Sequence, residues 1–155
     1  MSDVLIEKVT LSASEMAFAA FSGAGREAAN RVEGRGDAHI EGACGECAAA
    51  KCLGVYWPPG MGTMKGPDLL DCIEVRTTPG HNNRLPVKRT DPADRWFVLV
   101  TGTAPRFVVR GWIGPHDARR DEWWDDKMEY PNWMVPQSAL HPIATLLGSL
   151  DDWFT

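Results

Sequence analysis

No stretch of the sequence is apolar for long enough to cross a bilayer. The longest apolar-rich run, residues 16–21, falls far short of the roughly 20 residues a spanning helix needs. The first residues lack the basic start and apolar stretch of a secretion signal, so a cytoplasmic location is expected. Cysteine is scarce, four in 155 residues. A chain of this size in a reducing compartment has no need of disulfide staples, and free thiols are expected. Internal repeats and low-complexity tracts are absent, which excludes solenoids and arrays. Positive charge is nearly missing from the last third, where residues 121–155 carry one basic and seven acidic groups.

What is present suffices for one core. The chain is 44% hydrophobic and holds seven Trp, whose indoles bury more area than any other side chain, while its length is too small for two domains. The net charge of -5 hides an asymmetry: residues 1–75 carry six basic and eleven acidic groups, and residues 76–120 carry nine and three. The middle third is therefore the one candidate for an anion-binding surface.

Ser12 and Ser14 precede a run rich in Ala, Met and Phe that predicts a capped helix to about Arg31, with Gly23 and Gly25 as points where it could split. A second helix is predicted over residues 40–53, ending at Gly54, a residue that readily takes the left-handed closing conformation. Residues 58–66, with Pro58, Pro59 and three Gly, predict a loop. Strands are then predicted over 72–77, 85–89, 95–101 and 106–113, spaced like an antiparallel meander. Trp96-Phe97-Val98-Leu99-Val100 is apolar at every position and predicts a central strand covered on both faces. The N-terminal helices would supply one cover. The tail from Pro136, with Leu140, Ile143, Leu146, Leu147 and Leu150 at helical spacing, would supply the other.

Residues 66–76 read Gly-Pro-Asp-Leu-Leu-Asp-Cys-Ile-Glu-Val-Arg, which crowds Asp68, Asp71 and Glu74 at the mouth of a strand. Glu74 and Arg76 are two apart, so both leave the same face of a strand while Val75 turns into the core. This segment resembles the PD-(D/E)XK nuclease superfamily, the restriction-endonuclease-like proteins, with Pro67-Asp68 as the first half of the motif and Glu74-Val75-Arg76 as the second. Residues 39–57, from His39-Ile40-Glu41 through Gly45-Glu46 to Gly54-Val55-Tyr56-Trp57, look like the helix that brings a further acid, here Glu46, in small phage and prophage members. The likeness runs over roughly residues 40–142 and includes Val135-Pro136-Gln137.

The resemblance implies an α+β fold with a restriction-endonuclease-like core: a central, mostly antiparallel or mixed β-sheet flanked by helices on both faces. It forms one domain over residues 1–155, with a helical region at 1–39, the core at 40–142 and a helical tail at 143–155. It also implies Mg2+ or Mn2+ held by Glu46, Asp68 and Glu74, and hydrolysis of DNA phosphodiester bonds by an endonuclease or exonuclease. A homodimer accompanies the resemblance, because many such enzymes cut each strand of a duplex with one subunit.

The chemistry fits hard-cation preferences, since Mg2+ takes oxygen ligands, keeps several waters and is typically held by one or two carboxylates plus substrate phosphate. On one unbroken strand Asp68 and Glu74 would stand about 20 Å apart at roughly 3.3 Å per residue. A tight bend near residues 69–71 is therefore required. If the bend lies earlier, Asp71 becomes the metal-facing acid in place of Asp68.

Arg76 stands where the superfamily has Lys. Guanidinium has a pKa above about 12 and cannot accept a proton, although it can grip a phosphate through two hydrogen bonds. Lys88 could supply a migrated ammonium if its strand pairs with that of Glu74. Arg84, Lys88 and Arg89, together with Gln137, are the expected contacts to DNA. The alternative function is a catalytically impaired relative that binds nucleic acid or a protein partner.

Other candidates compete with plainer readings. Cys44, Cys47 and Cys52, with Cys72 and His81 farther on, invite zinc, but three of the thiols fall within an Ala-rich helix, where Cys acts as a small apolar residue. His81 is expected in a polar, solvent-exposed loop. Trp112, Trp123, Trp124 and Trp133 could stack on bases, yet Trp at this density is more often core or core rim. The acidic run 117–129 is expected to be a solvated loop.

Overall fold

The computed structural model describes residues 6–30, 36–57 and 66–155. Ser12 opens the first helix through a reciprocal cap: the Glu15 amide donates to Ser12 Oγ at 3.2 Å, and the Ser12 amide donates to Glu15 Oε1 at 2.7 Å. Helix α1 runs unbroken over Ala13–Asn30. Gly23 does not split it but lets a neighbour come close, since a Cβ there would stand 2.5 Å from the Ile40 Cα of the second helix. Helix α2 covers Gly36–Leu53 and closes at Gly54, whose φ of +68° is the left-handed conformation expected from the sequence. Most of the predicted loop at 58–66 lies outside the described residues.

The fold is α+β, with a four-stranded mixed sheet and a smaller antiparallel one. Strand β1 (Glu7–Thr10) is followed after the helices by β2 (Ile73–Thr78), β3 (Leu85–Lys88), β4 (Trp96–Thr103) and β5 (Arg106–Ile113). Two further strands, β6 (Trp124–Asp125) and β7 (Asn132–Val135), come before the tail. The larger sheet has the order β1-β5-β4-β2, and the smaller one β3-β7-β6.

The expected antiparallel meander is not what forms. Strands β2 and β4 pair in parallel, Ile73 against Trp96 through Thr78 against Thr101. Parallel neighbours need a long crossover rather than a hairpin, and residues 79–95 provide it, carrying β3 out to the second sheet on the way.

Strand β4 is buried on both faces, as its unbroken apolar run predicts. Trp96, Val98 and Val100 join a core with Ala43, Ala48 and Ala49 of α2, while Phe97 and Leu99 join a separate core with Leu85, Val87, Ile113 and Val135. The second cover is therefore the small β3-β7-β6 sheet, and the expectation of helices on both faces is overturned. The tail forms short 3₁₀ turns at Gln137–Ala139 and Ile143–Thr145 before helix α3, Leu146–Phe154. Its Leu146 and Leu150 enter the same core as α2. They are drawn there because the indoles of Trp96 and Trp112 leave apolar surface on that side; Trp153 meets Trp96 edge-on at 5.6 Å. No helix among the described residues is long and apolar enough to cross a membrane.

Candidate active site

The bend that the spacing of the acids demands is a hairpin closed by a three-residue turn, Leu70 to Cys72. Leu69 bridges Ile73 in antiparallel fashion, the Asp68 amide donates to the Ile73 carbonyl at 2.8 Å, and the Cys72 amide donates to the Leu69 carbonyl. Leu70 and Asp71 form the tip with φ of 50° and 60°, the pair of left-handed residues that a tight hairpin turn requires. The chain doubles back on β2, and the Val75 amide donates to Asp68 Oδ2 at 2.7 Å. Asp71, the alternative ligand, is exposed at the turn tip, while Asp68 lies against the strand.

Glu46 reaches this corner because α2 lies very close to β2. Gly45 makes that approach feasible: a Cβ on it would stand 1.9 Å from Thr77 Oγ1. Glu46 is buried, and Trp57 Nε1 donates to its Oε1 at 3.3 Å. Burial is the main force lifting the Asp68 carboxyl, to about 8, with the nearby charges of Glu46 and Glu74 adding to it; the Val75 hydrogen bond and Arg76 offset only part. Burial also lifts Glu74, against the opposing pull of Arg76 and Arg95.

Glu74 and Arg76 do lie on one face, as the period of two dictates. That face is the one bearing Phe97, whose ring lies 5.7 Å from the Arg76 guanidinium carbon. Glu46 approaches from the opposite, helix-covered face, so the two glutamates flank the edge strand with Asp68 at its rim. Among the described residues no three His, Cys, Asp or Glu side chains close around a common point suited to an ion. The set provides paired carboxylates, which is the number Mg2+ commonly takes beside water and phosphate.

Arg76 is held in a chain of charges. Its guanidinium pairs with Asp91, lies 3.7 Å from Glu74 Oε2 and donates through Nε to the Pro86 carbonyl. Arg95 Nε donates to Glu74 Oε1 at 3.0 Å. Asp91 and Arg95 were not singled out from the sequence. The reach of Asp91 to Arg76 depends on the crossover through β3.

Lys88 is exposed on β3, which pairs with β7 and not with β2, so the strand neighbourhood needed for a migrated ammonium is not formed. Its backbone amide, rather than its amine, touches the network by donating to Asp91 Oδ2 at 2.8 Å. Arg84 donates to the Met134 carbonyl, and the Arg89 guanidinium lies 5.9 Å from the Trp124 ring centre. The Gln137 amide donates to the carbonyls of His81 and Asn83 and so braces the turn that carries His81, which is exposed as expected.

Cys44 and Cys47 are buried in α2, where desolvation pushes both thiols up to about 11, and among the described residues no cluster of three metal-ligating side chains includes them. Trp112 is core, with its Nε1 donating to Pro142 O and Thr145 Oγ1, while Trp123, Trp124 and Trp133 are half-buried. The acidic run 117–129 includes a 3₁₀ turn, Asp121–Trp123, and strand β6. Comparison with family models, curated proteins and solved structures returns no match.

Proposed function

We propose that this chain is a Mg2+- or Mn2+-dependent nuclease of the PD-(D/E)XK type, with a restriction-endonuclease-like core, hydrolysing phosphodiester bonds of DNA in the cytoplasm. The observation that carries the reading is Asp68, a half-buried carboxyl fixed by the Val75 amide and flanked by Glu46 and Glu74. A carboxyl lifted to about 8 by burial and like charge is poised to exchange its proton for a cation near neutral pH.

Asp68 and Glu74 would hold the ion, while Glu46, on the helix-covered face, would act on it through the negative charge it sets beside Asp68. When bound, the ion lowers the pKa of its water and offsets charge growing on phosphate oxygens. The chain's own residues do the positioning. The hairpin and the Val75 amide set the Asp68 carboxylate, and Trp57 orients Glu46. Arg76 is suited to hold a phosphate oxygen and not to remove a proton from water.

Measuring Mg2+-dependent cleavage of supercoiled and single-stranded DNA by wild type and Glu74→Ala tests this reading. Cleavage by the wild type and its loss in the variant are expected, whereas equal activity in both discards the enzyme.

A second reading is favoured by one specific observation. Arg76 is committed to Asp91 and Pro86, and Glu74 to Arg95, a neutralised arrangement that suits a catalytically impaired protein binding nucleic acid. That reading expects DNA binding without cleavage at any divalent ion concentration.

A further inference from the structure

Away from the acidic corner, a groove of about 220 Å³ opens on the larger sheet, on the face that bears Glu74 and Arg76. Val108 and Thr101 form its floor, in register with each other and with Lys8 of β1. Lys8, Arg106, Arg110 and His81 line it, and no carboxylate does. In a chain with 21 acidic and 16 basic residues this is the reverse of the average surface.

The cations here differ from those around Glu74. Arg76 and Arg95 there, like Arg120 and Lys51 elsewhere, are each paired with an acid. Among the described residues, Lys8, Arg106 and Arg110 form no ion pair. Arg110 is aimed by a hydrogen bond from its Nε to Thr101 Oγ1 at 2.8 Å, which leaves its terminal nitrogens free to fork onto an oxyanion. His81 is held at the groove by the two Gln137 hydrogen bonds to its turn.

We propose that this groove binds a backbone phosphate of a nucleic acid whose scissile bond lies at the Asp68 corner. The volume is below the roughly 300 Å³ at which pockets for drug-sized molecules begin. Phe107, the one Phe, Tyr or Trp of the lining, is buried in the helix-side core, so apart from the His81 imidazole the groove offers no ring on which a base could stack. It therefore reads phosphate and not sequence. Thr78 of β2 pairs with Thr101 at the groove floor, and Glu74 lies four residues before Thr78 on the same face, about 13 Å away along the strand at roughly 3.3 Å per residue. A chain of phosphates spans that distance, while an isolated small anion does not. The identity of the polyanion rests on the nuclease reading; the existence of the groove does not.

Anisotropy of fluorescein-labelled single-stranded and duplex oligonucleotides, titrated across salt without divalent ions, tests the proposal. The double variant Lys8→Glu/Arg106→Glu alters two exposed side chains. It should weaken binding about tenfold or more and flatten the plot of log affinity against log salt by about 2, at roughly 0.9 per duplex phosphate contact. Arg120→Glu/Lys127→Glu makes the same change in net charge elsewhere and should leave that slope unaltered. Wild-type affinity and slope in the first variant, equal weakening in the second, or binding of inorganic tripolyphosphate but of no oligonucleotide overturns the proposal. Failure of the metal site is read separately, from the loss of a Mn2+-induced rise in melting temperature, which the groove variant should retain.

Discussion

The Val75 amide donates to Asp68 Oδ2 at 2.7 Å, so one hydrogen bond ties the candidate metal-binding acid to the middle of the strand that carries Glu74 and Arg76. The same bond is too weak to offset what burial and two neighbouring glutamates do to that carboxyl.

The first consequence is a pH dependence of stability. With Asp68 at about 8 in the fold and near its ordinary 3.8 when unfolded, the native state keeps a proton that the unfolded chain has lost. Its contribution to stability is complete below about pH 4, falls as pH rises and is gone above about 8. Urea denaturation in a chelator should give a lower midpoint at pH 8.5 than at pH 5.5, and Asp68→Asn should reduce that difference. Saturating Mn2+ should raise the wild-type melting temperature more at pH 8.5 than at pH 5.5. By mass action, an ion at about 100 times its dissociation constant contributes about 2.7 kcal/mol, and Asp68→Asn should abolish the rise.

Gly45→Ala sets helix propensity against a collision. Alanine favours a helix interior by about 1 kcal/mol over glycine, but its methyl would meet Thr77 Oγ1, Cγ2 and Cβ at 1.9, 2.7 and 2.8 Å. The collision wins at about 1–3 kcal/mol, so net destabilisation is expected, together with weaker Mn2+ binding as Glu46 is pushed outward. Thr77→Ala in the same chain should restore part of the stability, because it removes the two nearest atoms; a double-mutant cycle in urea measures the coupling.

Arg76 separates stability from catalysis. Arg76→Met leaves Asp91 without its cation and should cost about 3 kcal/mol, the low end of the range for a broken buried pair. Arg76→Lys should cost less and, under the nuclease reading, raise the cleavage rate about tenfold or more, by supplying an amine able to exchange a proton with water. Initial rates on supercoiled DNA between pH 7 and 9 provide the check. No gain, with the fold intact, favours the impaired binder.

Phe97 is fully buried in the second core and also backs the guanidinium groups of Arg76 and Arg119. Phe97→Ala should cost about 3–5 kcal/mol, and Phe97→Leu markedly less, as read from urea midpoints.

Much of this architecture is written in local chemistry. Ser12 with Glu15 starts one helix and Gly54 stops the next, because caps act within a single turn. The all-apolar β4 announces two-sided burial, and the distance between Asp68 and Glu74 requires a bend. The second sheet is another matter. Strand β6 has two residues and β7 four, too few for alternation to register, and the leucines of the tail read as a cover without revealing which face they would take. The turn tip was hidden as well, since leucine at Leu70 is an uncommon choice for positive φ. The ties from Glu74 to Arg95 and from Arg76 to Asp91 span a crossover whose path no local pattern encodes.

Strand β2 is the outermost strand of its sheet, and the short hairpin laid along it gives the Val75 amide an internal acceptor. An open rim of this kind is where two copies would otherwise stitch together and begin to precipitate. An Asp68 variant would therefore also uncover an edge amide, and its activity must be judged on material proven monodisperse by light scattering.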